Sequence, residues 1–303
     1  MKRNILYTLL FGAALTFTAC SEDDLEPVSI ISADNVEKTD LDYWLTKNLV
    51  QPYNIEVKYR YEFNETDPDY YTIPPQYEQA IEMAHIIKYT CAETYDEVAG
   101  VDFTRRYFPK LFLLIGEWEY NNNNTIILGT AEGGKKILLA GINYIDTYKT
   151  SVATLNTYYL KTIHHEFTHI LNQTRDYSAA FQLITSTGYV ADSWSSAPHN
   201  TGYLERGFIS DYSQHSHAED FAEMLSMYVT NTAEQWEAWM EEAAGTKADP
   251  KPGRGYLEAK LSIVRAYMQD SWNVDIDQLR ESILRRENDV VTGKIDLSDV
   301  TVK

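Results

Sequence analysis

Cysteine is scarce in this chain: Cys20 and Cys91 are the two cysteines in 303 residues. Two thiols cannot build the disulfide framework that holds many secreted domains together, so the folded part must depend on its hydrophobic core. The composition allows this, because 44% of the residues are hydrophobic. A chain of this length can form one large domain or two lobes.

Basic residues are also few. The chain has 26 lysines and arginines against 45 aspartates and glutamates, which gives a formal net charge of −19. Proteins bind the phosphate backbone of nucleic acids through lysine and arginine, so a chain this acidic is a poor candidate for that function. We therefore expect no nucleic-acid partner.

A long hydrophobic run is missing as well. The apolar stretch at residues 5–19 follows a positively charged start and is too short to span a membrane as an ordinary helix. Residues 18–20, Thr-Ala-Cys, resemble the lipobox of bacterial lipoproteins, with Phe17 where leucine is more usual. This resemblance implies a signal peptide at residues 1–19 and a lipid on Cys20, which would anchor the mature chain without a transmembrane helix.

An acidic run, Ser-Glu-Asp-Asp, follows directly at residues 21–24. It resembles the surface-export signal of Bacteroidota lipoproteins, and it is equally typical of a disordered acidic tether. The two interpretations are compatible. We predict a tether over residues 20–40 and an outer-membrane lipoprotein exposed at the cell surface.

Residues 164–169 read His-His-Glu-Phe-Thr-His and contain one HExxH motif, formed by His165, Glu166 and His169. On a helix, residues four apart lie on the same face, so two imidazoles can reach one metal ion. The glutamate then lies beside the open coordination position, where it can act as a general base. A charged helical face that happens to match the pattern is the alternative.

The flanks of the motif favour a helix with a buried face. Apolar residues recur at spacings of three and four, as a buried stripe requires: Leu155, Tyr159, Leu160, Ile163, Phe167, Ile170 and Leu171. His165 and His169 lie on a different face. His164 lies about 100° round the helix from His165, so it cannot join the same metal ion, and we interpret it as a polar neighbour.

A catalytic zinc usually has three protein ligands, so a third must be found. The extended metzincin motif is excluded, because Asn172 and Arg175 stand where it needs glycine and histidine. A Gly-Thr-x-x-Asp pattern typical of aspzincins occurs at residues 245–249, but it lies far downstream in a proline-flanked loop. We interpret that pattern as a chance match.

The better candidates are Glu219 and Glu223, which are four apart and share a helix face. One carboxylate can bind zinc, and the other can accept a hydrogen bond from a ligand imidazole and fix its tautomer. Glu219 is the preferred ligand. Two alternatives stay open: Glu219 could complete a capping box with Ser216, and Glu223 could be the ligand instead. The rival histidines are His199, His215 and His217, of which the last two precede a helix start and more naturally face solvent.

The HExxH helix followed by the sequence Glu-Asp-Phe-Ala-Glu at residues 219–223 is similar to the gluzincin peptidases. More closely, the lipobox, the helix at 164–172, the stretch at 207–212 and the Glu219 helix resemble a family of zinc-binding metallopeptidase lipoproteins of Bacteroidota. That family is associated with outer-membrane nutrient-import systems. The resemblance implies one Zn²⁺ bound by His165, His169 and Glu219, with Glu166 as general base. It also implies a peptide or protein substrate and import proteins as partners.

Tyr212 lies seven residues before Glu219, a spacing similar to that of a tyrosine in lethal-factor-like gluzincins. In those enzymes the tyrosine stabilises the oxyanion of the tetrahedral intermediate. A phenol donor opposite a metal ion could hold developing negative charge in this way. We therefore include Tyr212 among the predicted catalytic residues.

The expected fold class is α+β, a zincin-like domain at residues 41–303 with a mixed sheet. Alternating and apolar runs predict strands at residues 55–61, 111–115, 125–128 and 135–142, and a helix at 76–95. The α/β part should extend to about residue 175, and a helical part should occupy about 216–303. We assign substrate pairing at a sheet edge to part of 137–143, with a simple sheet interior as the alternative.

The leading functional prediction is a surface-anchored, zinc-dependent endopeptidase. The first alternative is a non-catalytic accessory of a nutrient-import complex with a structural or vestigial metal site. Against it, a closed structural site has no need of a base at Glu166. A zinc hydrolase acting on another substrate, such as a glycan substituent, is the second alternative.

Overall fold

The computed structural model describes residues 37–66, 72–120, 126–127, 129–132 and 136–302. The predicted signal peptide, Cys20 and nearly all of the tether lie outside these residues. Residues Thr39–Lys303 form one compact unit. Within the described ranges, each helix is too short or too polar to cross a membrane.

Two apolar segments build the centre of a four-stranded sheet. These are β2 (Leu111–Leu114) and β6 (Lys136–Leu139), which pair in parallel and are buried almost throughout. Strands with both faces covered read as continuous hydrophobic runs. The strand order is β1-β2-β6-β5, where β1 is Glu56–Lys58 and β5 is Gly129–Glu132. Strand β1 is parallel to β2, whereas β5 is antiparallel to β6.

The prediction that residues 137–143 provide a sheet edge is wrong. Ile137 pairs with Phe112 of β2 on one side and with Ala131 of β5 on the other, so β6 is an interior strand. The physical reason is the Ile-Leu-Leu run, which is buried because the strand has neighbours on both sides. The alternative of a sheet interior is confirmed, and β5 occupies the edge.

A separate antiparallel ribbon pairs β3 (Glu119–Tyr120) with β4 (Ile126–Ile127). The latter lies within the strand predicted at 125–128, whose two end residues are outside the described part of the chain. The strand predicted at 55–61 is shorter than expected. Beyond it, the guanidinium of Arg60 donates to both carboxylate oxygens of Asp42 at 2.8 and 2.7 Å.

Two helical rods in the chain before β2 are continuous through π-helical insertions. Helices α1 (Asp40–Leu45) and α2 (Gln51–Tyr53) are joined by π-helical Thr46–Val50. Helices α3 (Tyr77–Ile86) and α4 (Glu93–Ala99) are joined by π-helical Ile87–Ala92. The predicted helix at 76–95 is therefore confirmed, and it extends to Ala99 before Gly100 ends it at a φ of +86°. Helix α5 is Val101–Tyr107.

The HExxH sequence lies on a long rod after the sheet. Helix α6 is Ile145–Tyr148, and α7 (Val152–Leu155) continues through π-helical Asn156–Leu160 into α8 (Lys161–Thr174). The predicted apolar stripe is buried, and Phe167 lies at its centre. The ring of Phe167 packs edge-on against Tyr95 and Phe108, with centroids 4.8 and 5.1 Å apart. This packing fixes which face of α8 is left for the site.

The remainder of the described chain is mostly helical, with loops between the helices. Short 3₁₀ turns alternate with loop between residues 191 and 214, and the α-helices are α9 (Ala180–Ile184), α10 (His217–Val229), α11 (Ala233–Ala243), α12 (Gly253–Trp272) and α13 (Ile276–Val291). Helix α10 packs along α8. Phe221 of α10 stacks on Tyr177 with ring centroids 4.0 Å apart. The arrangement is α+β, as the sequence predicts, and it brings the second predicted ligand helix beside the first.

Candidate metal centre

Three side chains from α8 and α10 meet at one point. Nε2 of His165 lies 2.9 Å, and Nε2 of His169 3.1 Å, from the same carboxylate oxygen of Glu219. The two imidazole nitrogens are 3.1 Å apart. His165 and His169 are one turn apart on α8, as their spacing requires. In the described ranges, these three residues form a cluster able to hold a metal ion.

The donor set and its dimensions suit zinc. Zinc takes imidazole nitrogen and carboxylate oxygen at about 2.0–2.2 Å, so two ligands of a tetrahedral ion lie about 3.3 Å apart. The observed separations of 2.9–3.1 Å are a few tenths of an ångström shorter. A small outward movement of the side chains would therefore admit the ion.

Electrostatics at this point favour a cation. Burial alone would lower the pKa of His165, but the carboxylates of Glu219 and Glu223 outweigh it and raise that pKa to about 9. Burial opposes the ionised form of Glu219 as well, yet the two histidines hold its pKa well below the usual range. The centre attracts positive charge strongly enough to overcome desolvation.

Glu223 lies behind His165 and not at the meeting point. Its Oε1 is 2.8 Å from Nδ1 of His165, and its carboxylate accepts hydrogen bonds from Lys161 at 2.8 Å and Ser210 at 2.7 Å. The side chain of Glu223 is 1% exposed. Despite burial, Lys161 and His165 hold its pKa below the usual range. A carboxylate at Nδ1 keeps the proton there and leaves the Nε2 lone pair for a metal ion.

Only half of the capping-box alternative is present at the start of α10. The hydroxyl of Ser216 accepts a hydrogen bond from the backbone N–H of Glu219 at 3.3 Å, which caps the helix. The carboxylate of Glu219 is directed instead to the two histidines. Ser216 therefore positions Glu219 without occupying its carboxylate.

The carboxyl of Glu166 is close enough to the centre for the charged groups there to shift its pKa. Burial raises the pKa of this carboxyl, the imidazoles of His165 and His169 lower it, and Glu219 and Glu223 raise it. A raised pKa makes a carboxylate a stronger base, which suits proton transfer near neutral pH.

The ring of Tyr212 lies beside that of His165, with ring centroids 6.0 Å apart. Its ring packs edge-on against Trp194 and stacks on His215. Burial raises the pKa of its phenol, and the nearby carboxylates of Glu219, Glu223 and Glu166 raise it further. The carboxylate of Glu219 also interacts with the hydroxyl, which stays protonated and can donate a hydrogen bond.

The other histidines lie outside the meeting point. His164 is buried against Tyr95, whose hydroxyl is 3.0 Å from its Nδ1, and burial lowers the pKa of His164 to about 3. Nδ1 of His217 is 2.7 Å from the hydroxyl of Tyr177, and Nε2 of His215 is 3.3 Å from Asp192. His199 contributes its backbone carbonyl to Arg206. The chance match at 245–249 is a surface turn, where Asp249 pairs with Lys251 at 2.8 Å.

Sequence reasoning missed two groups that support the centre. Lys161 could have been found, because it lies four residues before His165 on the same helix face. Ser210 lies in the stretch 207–212 that carries the family resemblance, but the sequence gives no sign of its contact with Glu223.

A third missed feature is a buried ion pair between Lys260 and Asp220, in which the lysine also bonds to Gly207. We call these three residues the Lys260 clamp. Nζ of Lys260 is 2.6 Å from Oδ2 of Asp220 and donates to the carbonyl of Gly207 at 2.6 Å, and both charged side chains are 0% exposed. Gly207 has a φ of +86°, and a Cβ there would lie 2.6 Å from the Cβ of Tyr256. The clamp ties α12 both to the ligand helix and to the loop that carries Ser210 and Tyr212.

Comparison with known proteins gives a family match and a similar solved structure. The profile of a family described as "Putative zinc-binding metallo-peptidase" matches residues 34–277. A crystal structure of a protein from Bacteroides caccae ATCC 43185, with the same description in its title, is 36% identical in sequence. The similarity covers 90% of this chain and 100% of that one, with a TM-score of 0.73. Comparison with functionally curated proteins gives no match. The resemblance predicted from the motifs is confirmed, and the chain belongs to this zinc-binding metallo-peptidase family.

Proposed function

We propose that this protein is a zinc-dependent endopeptidase of the gluzincin type, with a zincin-like arrangement of its HExxH helix and sheet. His165, His169 and Glu219 would bind one Zn²⁺. The observation that carries the proposal is the meeting of two imidazole nitrogens and one carboxylate oxygen within 3.1 Å of one another. Family membership supports zinc as the metal.

The catalytic roles follow from the surroundings of that point. Bound zinc would polarise a scissile carbonyl and make water more acidic. Glu166, with a pKa raised by burial, accepts a proton from the attacking water and delivers it to the leaving amine. Glu223 holds His165 through Nδ1, supported by Lys161 and Ser210. The intact base at Glu166 argues against a purely structural site, which has no need of one.

An extended peptide needs a partner for its backbone, and β5 is suited to that role. This strand lies at the edge of the sheet, antiparallel to β6, and it contacts α8. A substrate that adds to this edge would have its scissile bond near the HExxH face of α8. We therefore transfer the substrate-pairing role from 137–143 to Gly129–Glu132.

We further propose that the protein acts at the outer-membrane surface. The support is in the sequence: the lipobox-like Thr-Ala-Cys ending at Cys20 and the acidic run that follows it. Lipid at Cys20 would tether the peptidase to the membrane. Nutrient-import proteins of the same membrane are the proposed partners.

The first test is elemental analysis of the protein purified without metal-affinity tags or chelators. We expect close to one zinc per chain, together with peptide hydrolysis that a chelator removes and added zinc restores. Zinc bound without hydrolysis of any peptide in a broad library would favour the non-catalytic accessory. A chain that neither contains zinc nor takes it up on titration would overturn the metallohydrolase altogether.

Replacement of Tyr212 by phenylalanine should lower kcat by roughly 10²–10³-fold with little change in KM, since the lost phenol would act mainly on the transition state. Steady-state kinetics with one peptide would measure this, and zinc content should stay constant. Tyr43→Phe, an exposed tyrosine of α1, is the matched control. An unchanged kcat in Tyr212→Phe would exclude the oxyanion role.

A further inference from the structure

A cavity of about 500 Å³ opens beside the metal ligand His169. Its walls come from the C-terminal half of α8, the segment that follows, α9 and the first residues of α10. The polar residues that line it are Asn172, Gln173, Asp176, Tyr177, Gln182 and His217. Because one wall is a proposed zinc ligand, a side chain bound here would belong to a residue next to the scissile bond.

The cavity carries negative charge. Asp176 is the single carboxylate among its lining residues, and none of them is lysine or arginine. Asp176 is exposed, and no ion pair joins it to another residue of the described ranges. His217 faces the hydroxyl of Tyr177 through Nδ1. The carboxylate of Asp176 is therefore available to a ligand.

The C-terminus of α8 and the orientation of the neighbouring arginine do not oppose a cation at this cavity. Helix α8 ends at Thr174 with no basic residue in its last turn, so its terminal carbonyls add partial negative charge. Helix α10 begins at His217, and the hydroxyl of Ser216 already accepts a hydrogen bond from the backbone N–H of Glu219 in its first turn. Arg175, the residue before Asp176, is directed to another part of the surface. Its guanidinium lies 4.8 Å from the ring centroid of Trp272.

Part of the wall is apolar. The ring of Tyr177 is held in place by stacking on Phe221, and the methyl groups of Ala179 and Ala218 complete this side. A long side chain with an aliphatic stem and a charged end can lie along such a wall and reach a carboxylate. Lysine and arginine have this shape.

We propose that this cavity is a specificity subsite for a lysine or arginine side chain adjacent to the bond that is cleaved, with Asp176 as its anionic partner. The inference rests on the proposed peptidase function and names its substrate class. The proposed subsite predicts a peptidase that selects basic residues on one side of the scissile bond. The metal centre alone would impose no such preference.

The test is a cleavage profile of the purified protein on a peptide library, read by mass spectrometry, followed by kinetics on one cleaved sequence. We expect lysine or arginine to be enriched at one position flanking the cleaved bond. Replacement of that arginine by citrulline, which keeps the shape but removes the charge, should lower kcat/KM by about tenfold. Asp176→Asn should remove this discrimination. Asp176→Lys should disfavour basic residues and favour acidic ones.

Two controls separate this inference from the proposed function. Glu241→Gln removes one exposed negative charge from α11 and should keep the discrimination. Peptide binding to Glu166→Gln, measured by fluorescence anisotropy with the arginine and citrulline peptides, reports on the cavity without turnover. Preferential binding of the arginine peptide that depends on Asp176 supports the subsite even if no hydrolysis is seen. Equal binding of the two peptides, or a preference unaffected by Asp176→Asn, overturns it.

Discussion

Replacement of Glu166 by glutamine is expected to lower kcat/KM for peptide hydrolysis by roughly 10²–10⁴-fold, which is the usual contribution of a positioned general base. The amide has nearly the shape of the carboxylate but cannot accept the proton. The three proposed ligands are unchanged, so zinc content should stay near one per chain. Kinetics on a single peptide, with elemental analysis of the same sample, measures both quantities.

Glu241→Gln makes the same chemical change on the exposed face of α11 and should have wild-type kinetics. If Glu166→Gln hydrolysed the peptide as fast as this control, the base would have to be another group. If Glu166→Gln lost its zinc, the carboxylate would have a structural role that the contacts of the centre do not suggest.

Glu219→Gln is expected to weaken zinc binding by more than about 100-fold, whereas Glu223→Gln should weaken it by only about 10–100-fold, as loss of an outer partner typically does. The difference follows from the positions of the two carboxylates: Glu219 contacts both imidazole Nε2 atoms, and Glu223 contacts Nδ1 of His165. Competition titrations with a chromophoric chelator would give both affinities.

These two substitutions are each other's controls, since both remove one negative charge from the same face of α10. A larger loss of affinity in Glu223→Gln than in Glu219→Gln would reverse the proposed roles. Equal losses would mean that both carboxylates bind the metal.

The sequence predicts the elements of the centre better than their assembly. Helical spacing brings His165 and His169 together through local geometry alone, and this much follows from residues four apart. Whether Glu219 or Glu223 joins them depends on how α10 packs against α8, some 50 residues later in the chain. That register is set by contacts such as Tyr177 on Phe221, which no local pattern encodes.

The position of 137–143 in the sheet could not be derived for a similar reason. An apolar run is compatible with an edge strand that is covered by a helix and with an interior strand. The decision comes from β5, which returns antiparallel along β6 and takes the edge. Partners that lie close together in a fold but far apart in sequence, as in the Lys260 clamp, leave no periodic signal at all.

The Lys260 clamp also has an evolutionary consequence. Loss of the lysine alone would leave the carboxylate of Asp220 buried without its counter-ion, although the hydroxyl of Tyr189 would still donate to it at 2.9 Å, and the cost of breaking such a pair is about 3–5 kcal/mol. Loss of the aspartate alone would leave the ammonium group of Lys260 buried without its counter-ion. Relatives should therefore keep or exchange residues 220 and 260 together, even though they lie in different helices. Such paired change would mark the C-terminal helices, which carry no chemical motif, as inherited together with the metal-binding half of the protein.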